Sequence, residues 1–145
     1  MNDLVVGGKL RSRAHDIIAA LVVRKMGECG FLPVSADVEE VLFGENRLPT
    51  TMRLGRHRPD IIGYRKEDDG VCIGEAKTTS DLRMKRTREQ LEDYSRLDSV
   101  EVFIGIPDDG HQILSKMMVS LGAEMSRRFH VIRVPTGLLQ NEFLG

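Results

Sequence analysis

Residues 100–107 read VEVFIGIP, apolar at nearly every position instead of at every second one. A strand of that composition is buried on both faces, so it needs a layer of structure on each side. The neighbouring segments supply such layers. Upstream, Leu82, Met84, Leu91, Tyr94 and Leu97 lie along a helix predicted over Thr78–Asp98, with Ser80 as its N-cap. Downstream, Pro107-Asp108-Asp109-Gly110 turns into a helix, HQILSKMMVSLGAEMSRRF, followed by a strand, HVIRVP, and a tail, GLLQNEFLG.

Towards the N-terminus, Leu10, Ala14, Ile17, Ile18 and Leu21 fall at helical spacing and Gly30 supplies a stop, which predicts an amphipathic helix from about Leu10 to Gly27. FLPVSADVEEVLF reads as an edge strand opened by Pro33, and GENRLPTT as a loop. PDIIGY and VCIGEAK read as two short strands joined by RKEDDG, where Asp69-Gly70 is a hairpin turn signal. The order is α-β-β-β-α-β-α-β, an α/β fold with a mixed β-sheet flanked by helices.

At 145 residues the chain is expected to be a single domain, 1–145, with 136–145 as a C-terminal tail. No apolar run approaches the ~20 residues of a membrane span. The N-terminus has no basic region before its short apolar stretch, so it does not read as a secretory signal, and the expected location is cytoplasmic. Cys29 and Cys72 form no CxxC pair and fit reduced, structural thiols. Net charge is −1, which alone argues against a nucleic-acid protein. Its distribution argues otherwise: between Asn46 and Arg88 eleven Lys and Arg face six Asp and Glu, leaving ten against sixteen elsewhere. A basic middle on an acidic body fits a polyanion site, or a solvated charged face.

Side chains alternate along a strand, so Val71, Ile73, Glu75 and Lys77 share one side while Cys72, Gly74 and Ala76 share the other. The small set suits close packing under a helix. A hairpin turning at Glu67 to Gly70 brings Asp60 towards the Glu75 end, and Asp60, Glu75 and Lys77 converge. Two carboxylates and a lysine there can hold a hard dication, which prefers oxygen ligands, and serve phosphodiester hydrolysis. They can also be a turn cap and an edge-strand ion pair.

Pro59-Asp60, fourteen residues, then Glu75-Ala76-Lys77 resembles the signature of the PD-(D/E)XK nuclease superfamily, and REQLEDY places Gln90 and Tyr94 in the Q-x-x-x-Y spacing of its RecB-like subclass. Four apart on a helix, these two share a face. The resemblance implies a restriction-endonuclease-like three-layer core and a Mg²⁺- or Mn²⁺-dependent deoxyribonuclease. Asp60 and Glu75 would bind the metal, with the Ala76 backbone carbonyl as a third ligand. Lys77 would steer the attacking water, Gln90 would assist, and Tyr94 would support it. The family commonly adds a ligand from the first helix. His15, about 100° off a buried face centred near Ala14, is the candidate, against a packed or solvated histidine, while Asp16 is expected to point to water. His57 is a rival on a loop, or a substrate contact.

Arg56, His57, Arg58, Arg83, Lys85, Arg86 and Arg88 are the candidate DNA contacts, of the phosphate-binding kind that carries no sequence information. Two other readings stand beside the nuclease: a catalytically silent DNA-binding or scaffolding subunit of a larger nuclease or helicase complex, and a small dimeric junction-resolvase-like endonuclease. Leu138, Leu139, Phe143 and Leu144 would form an apolar patch if exposed together. The tail is therefore expected to dock on its own sheet, to pack in a homodimer, or to hook a partner protein.

Overall fold

The computed structural model describes residues 3–6, 9–37, 48–122 and 127–140, those before residue 13 by backbone alone. Valines and leucines on either side of Gly7-Gly8 form a hairpin, in which β1 (Asp3–Val6) pairs antiparallel with β2 (Lys9–Ser12) and Val5 lies opposite Leu10. The expected start of the first helix is thereby corrected. Leu10 belongs to a strand, and α1 runs Arg13–Glu28. A Gly-Gly pair between two short apolar-containing runs, LVV and KL, is a hairpin signal in its own right.

The main sheet has five strands in the order β3-β4-β5-β6-β7. β3 (Leu32–Ala36), β4 (Ile61–Arg65) and β5 (Gly70–Ala76) are antiparallel neighbours. β6 (Val100–Pro107) and β7 (Phe129–Val134) continue it in parallel. The β4–β5 turn is where the sequence places it, with Asp69 at φ 56°. β3 is the expected edge strand. A register shift lies between Pro33 and Ser35, and Leu32 and Val34 are 71% and 46% exposed.

The segment expected to be one helix over Thr78–Asp98 is two, α2 (Thr79–Leu82) and α3 (Lys85–Ser95). The cap is Thr78, not Ser80: its hydroxyl accepts from the Asp81 N–H while the Asp81 carboxylate accepts from the Thr78 N–H. This reciprocal box fixes the start two residues early. The chain then opens at Met84, φ −82° and ψ 139°, and Thr87 Oγ1 donates across the break to the Asp81 carbonyl at 2.6 Å, which also accepts from the Met84 N–H at 3.1 Å. α4 (His111–Leu121) ends at Gly122, φ 96°, short of the expected Phe129.

The sheet is covered on both faces. On one, Ile18, Ala19, Val22 and Met26 of α1 pack against Cys72, Ala76 and Phe103. On the other, Leu82, Leu91, Tyr94 and Leu114 from the crossover helices pack against Ile73, Val102, Ile104 and Ile106. VEVFIGIP thus splits between two cores, as its composition requires. Leu139 packs on the α1 side; Phe143 and Leu144 lie outside the described residues. No helix among these residues is long and apolar enough to cross a membrane.

α1 lies so close to the sheet that a Cβ on Gly105 would come within 2.6 Å of Ile18 and Val22 side-chain carbons. Gly105→Ala is therefore expected to lower unfolding free energy by about 1–3 kcal/mol through overpacking. Gly27, in α1 with nothing within 4 Å of its Cβ direction, should instead gain up to ~1 kcal/mol as Gly27→Ala. Urea titration of the two variants measures both signs.

Candidate active site at the end of the central strand

β5 is central, antiparallel to β4 on one side and parallel to β6 on the other. One step beyond the Ile61–Gly74 pair, Asp60 comes opposite Glu75. The Lys77 N–H donates to the Gly105 carbonyl at 3.0 Å. Ala76, between them, turns its backbone the other way, and its N–H donates to Asp60 Oδ2 at 2.9 Å. The Ala76 carbonyl, on the same side of the strand as its N–H, faces the Asp60 side of the strand.

Glu75 is 2% exposed. Its Oε2 accepts from the Tyr94 hydroxyl at 2.7 Å, and its Oε1 lies 3.8 Å from Lys77 Nζ. Lys77 also donates to Gln90 Oε1. Gln90 and Tyr94 are themselves 2% and 1% exposed, so one face of α3 closes over the strand end. The convergence of Asp60, Glu75, Lys77, Gln90 and Tyr94 is as the sequence pattern expects.

His15 Nε2 lies 3.4 Å from Asp60 Oδ2. The buried stripe of α1 is Ile18, Ala19, Val22 and Met26, and His15 is its N-terminal extension. Ala14, Ile17 and Leu21 stay partly exposed while Ile18, Ala19, Val22 and Met26 are fully buried, so the face is centred one residue later than Ala14, and His15 lies on it instead of 100° away. Asp16 is not turned to water as expected. Its side chain is 15% exposed, with Oδ1 3.9 Å from His15 Nδ1.

The two acids titrate in opposite directions. Burial first, then the charge of Asp60, push the Glu75 carboxyl up to about 8, against the pull of Lys77 and the Tyr94 hydrogen bond. Burial also works to raise Asp60. The hydrogen bond and charge of His15, the Ala76 N–H and Lys77 together outweigh it and hold Asp60 below the usual range. The Tyr94 hydroxyl is raised by its own burial and by Glu75, so it stays a donor.

The segment before Asp60 is tied down. Thr51 Oγ1 donates to the Pro59 carbonyl at 2.6 Å, and the Arg58 guanidinium donates to the Thr51 carbonyl. His57, offered as a loop ligand or substrate contact, is 4% exposed. Its Nε2 lies 2.8 Å from Asp93 Oδ2 and its ring stands edge-on to Tyr94, centroids 6.1 Å apart. Arg56 bonds Asp93 through Nε and Nη2 at 3.1 and 3.2 Å. Sequence reading passed over Thr51 and Asp93; the one signal was an acid adjoining Tyr94 in REQLEDY.

The basic cluster divides. Lys85 lies 3.9 Å from Glu89 and Arg88 3.3 Å from Glu92, each one turn along α3. Arg83 and Arg86 are exposed and form no ion pair with the described acids. Arg86, Gln90 and Tyr94 are four apart in turn and share a face, and the Arg86 charge reaches the Tyr94 hydroxyl.

No protein-family model matches the chain, and no curated protein matches it in sequence. Among solved structures it is similar to Pyrococcus furiosus SfsA in complex with Ca²⁺, with a TM-score of 0.55 and 10% identity over 93% of this chain and 63% of that one. The chain thus spans less than two thirds of that protein, and the two share a fold.

Between the ordinary value of 4.5 and about 8, folded Glu75 keeps a proton that the unfolded chain has released. The unfolded state then binds fewer protons, so stability falls as pH rises through this window. With divalent cations chelated, Tm is expected to decline from pH 5 to pH 8 more steeply in the wild type than in Glu75→Gln. Parallel thermal melts check it, and equal slopes would refute a proton held on buried Glu75.

Proposed function

We propose that the protein is a PD-(D/E)XK-type nuclease that hydrolyses DNA phosphodiester bonds with Mg²⁺ or Mn²⁺. The observation that carries this reading is the meeting of Asp60, Glu75, Lys77 and Gln90 at one strand end, with both acids largely buried and facing each other. A carboxyl pushed up to about 8 beside one held low is a pair in which the second negative charge is resisted, and a bound cation would relieve that resistance.

The donor set suits a hard dication. Asp60, Glu75 and the Ala76 carbonyl offer oxygen, and His15 adjoins Asp60. Among the described residues no group of three or more His, Cys, Asp or Glu side chains is arranged to hold a metal ion, so the proposed donor set is two carboxylates and a backbone carbonyl. The fold neighbour was solved with Ca²⁺, another oxygen-seeking ion. A bound Mg²⁺ or Mn²⁺ would polarise the phosphoryl oxygen and lower the pKa of the attacking water.

The chain's own residues supply the remainder. Gln90 holds the Lys77 ammonium over Glu75, where Nζ can hydrogen-bond the attacking water or a phosphate oxygen as negative charge builds. Tyr94 orients Glu75 by donating to one oxygen and leaving the other towards Lys77. Arg86, one turn before Gln90, exposed and without an ion pair among the described residues, would take a phosphate of the substrate.

Asp60→Ala and Lys77→Ala are each expected to reduce Mn²⁺-dependent cleavage of duplex and single-stranded DNA at least 100-fold, while Glu75→Gln removes calorimetric Mn²⁺ binding. Undiminished cleavage in either alanine variant would overturn the reading. For DNA binding measured without turnover, Arg86→Ala should reduce the salt slope by about one unit for all sequences. Arg88→Ala, whose charge is already engaged by Glu92, should change it less.

A further inference from the structure

We propose that Asp93 and His57 form a positioning pair for Asp60, so that one turn of α3 sets both carboxylates of the site: Tyr94 directly on Glu75, and Asp93 through His57 on the segment that ends in Asp60. The inference rests on the two-carboxylate reading of the site only where metal is concerned.

Several independent contacts lead to it. His57 is an almost wholly buried imidazole in a loop, and Asp93 Oδ2 at 2.8 Å is its polar partner. Such a group is satisfied only while the loop lies against α3, because a buried nitrogen left without its partner keeps the full desolvation penalty. The ring also stands edge-on to Tyr94, whose hydroxyl holds Glu75.

Two residues, Arg58 and Pro59, separate His57 from Asp60, and that short span has its own restraints. Thr51 bonds the Pro59 carbonyl, Arg58 bonds the Thr51 carbonyl, and His57 and Leu54 exchange backbone hydrogen bonds at 2.7 and 3.3 Å. Pro59 has φ fixed by its ring. A displacement of His57 therefore reaches Asp60 with little slack to absorb it.

The Ala76 N–H, which donates to Asp60 Oδ2, reports on the position of Asp60. The next amide, Lys77 N–H, bonds β6 instead and does not sense Asp60. Arg56 also engages Asp93 but is 63% exposed. It anchors the carboxylate from solvent, whereas His57 carries the position inward.

Amide hydrogen exchange and Mn²⁺ calorimetry on Asp93→Ala, Asp93→Asn and His57→Phe test the pair. Asp93→Ala and His57→Phe, which keeps the ring against Tyr94 but cannot bond Asp93, should speed exchange at Ala76 at least tenfold relative to Lys77. Both should weaken Mn²⁺ affinity about 10- to 100-fold, as loss of a group behind a ligand does. Asp93→Asn, which still accepts from the imidazole, should recover most of both effects. As a control, Glu101→Ala removes the contacts to His130 and Arg65 elsewhere in the sheet and should lower Tm without moving either readout. Unchanged Ala76 exchange in folded Asp93→Ala or His57→Phe would overturn the pair. A wild type that binds no Mn²⁺ would overturn the metal reading, and the Ala76 exchange would still decide the positioning.

Discussion

Glu75 is the side chain that the rest of the molecule has to accommodate. A carboxyl at 2% exposure in the middle of a sheet has lost its water, and an ion so placed is tolerated only with charge or hydrogen bonds around it. The chain provides a phenol and an ammonium, and sets against them a second acid whose charge favours the protonated form. Each provision fixes a larger element: Tyr94 fixes the rotation of α3, Lys77 with Gln90 fixes the end of β5 against it, and Asp60 fixes where β4 begins. The break at Met84 belongs to the same arrangement. It lets Thr78 and Asp81 cap a short first turn directly after the strand, while α3 takes the separate direction that carries Gln90 and Tyr94 over the site.

Much of this was legible because the relevant periodicities are local. Strand alternation puts Glu75 and Lys77 on one side and Cys72, Gly74 and Ala76 on the other, and the burial of both sets follows it. The spacing of four puts Gln90 and Tyr94 together whatever the helix packs on. VEVFIGIP announces a doubly covered strand, and both covering layers are present. Asp69-Gly70 announces the turn that aligns Asp60 with Glu75.

What was not legible depends on choices between near-equal local signals. Leu10 fits a helical stripe and fits a strand, and a hairpin partner decided it. The face of α1 was a second such choice: Ala14, Ile17 and Leu21 are as apolar as Ala19, Val22 and Met26, but only the latter three are fully buried, which brings His15 round to Asp60 and keeps Asp16 from water. Ser80 and Thr78 are both good caps, but only Thr78 has an acid three residues on. His57 in a loop gave no sign of being buried, since its partner Asp93 is 36 residues away in sequence. Glu89 and Glu92 divide a cluster that reads as uniformly basic, because pairing along a helix is settled by rotamers, not by composition.

The outer edge of β3 has a consequence for life in a crowded solution. Leu32 and Val34 project from it, and Tyr64 and Val71 continue the apolar row across the next two strands at 37% and 39% exposure. A strand from a neighbouring molecule would find apolar contact there, the usual invitation to fibrillar stacking. It would not find a continuous ladder. Pro33 has no donor, and the register shift that follows it breaks the spacing of the remaining groups. The edge is sticky to side chains and discontinuous to backbones, which allows transient touching and discourages templated growth.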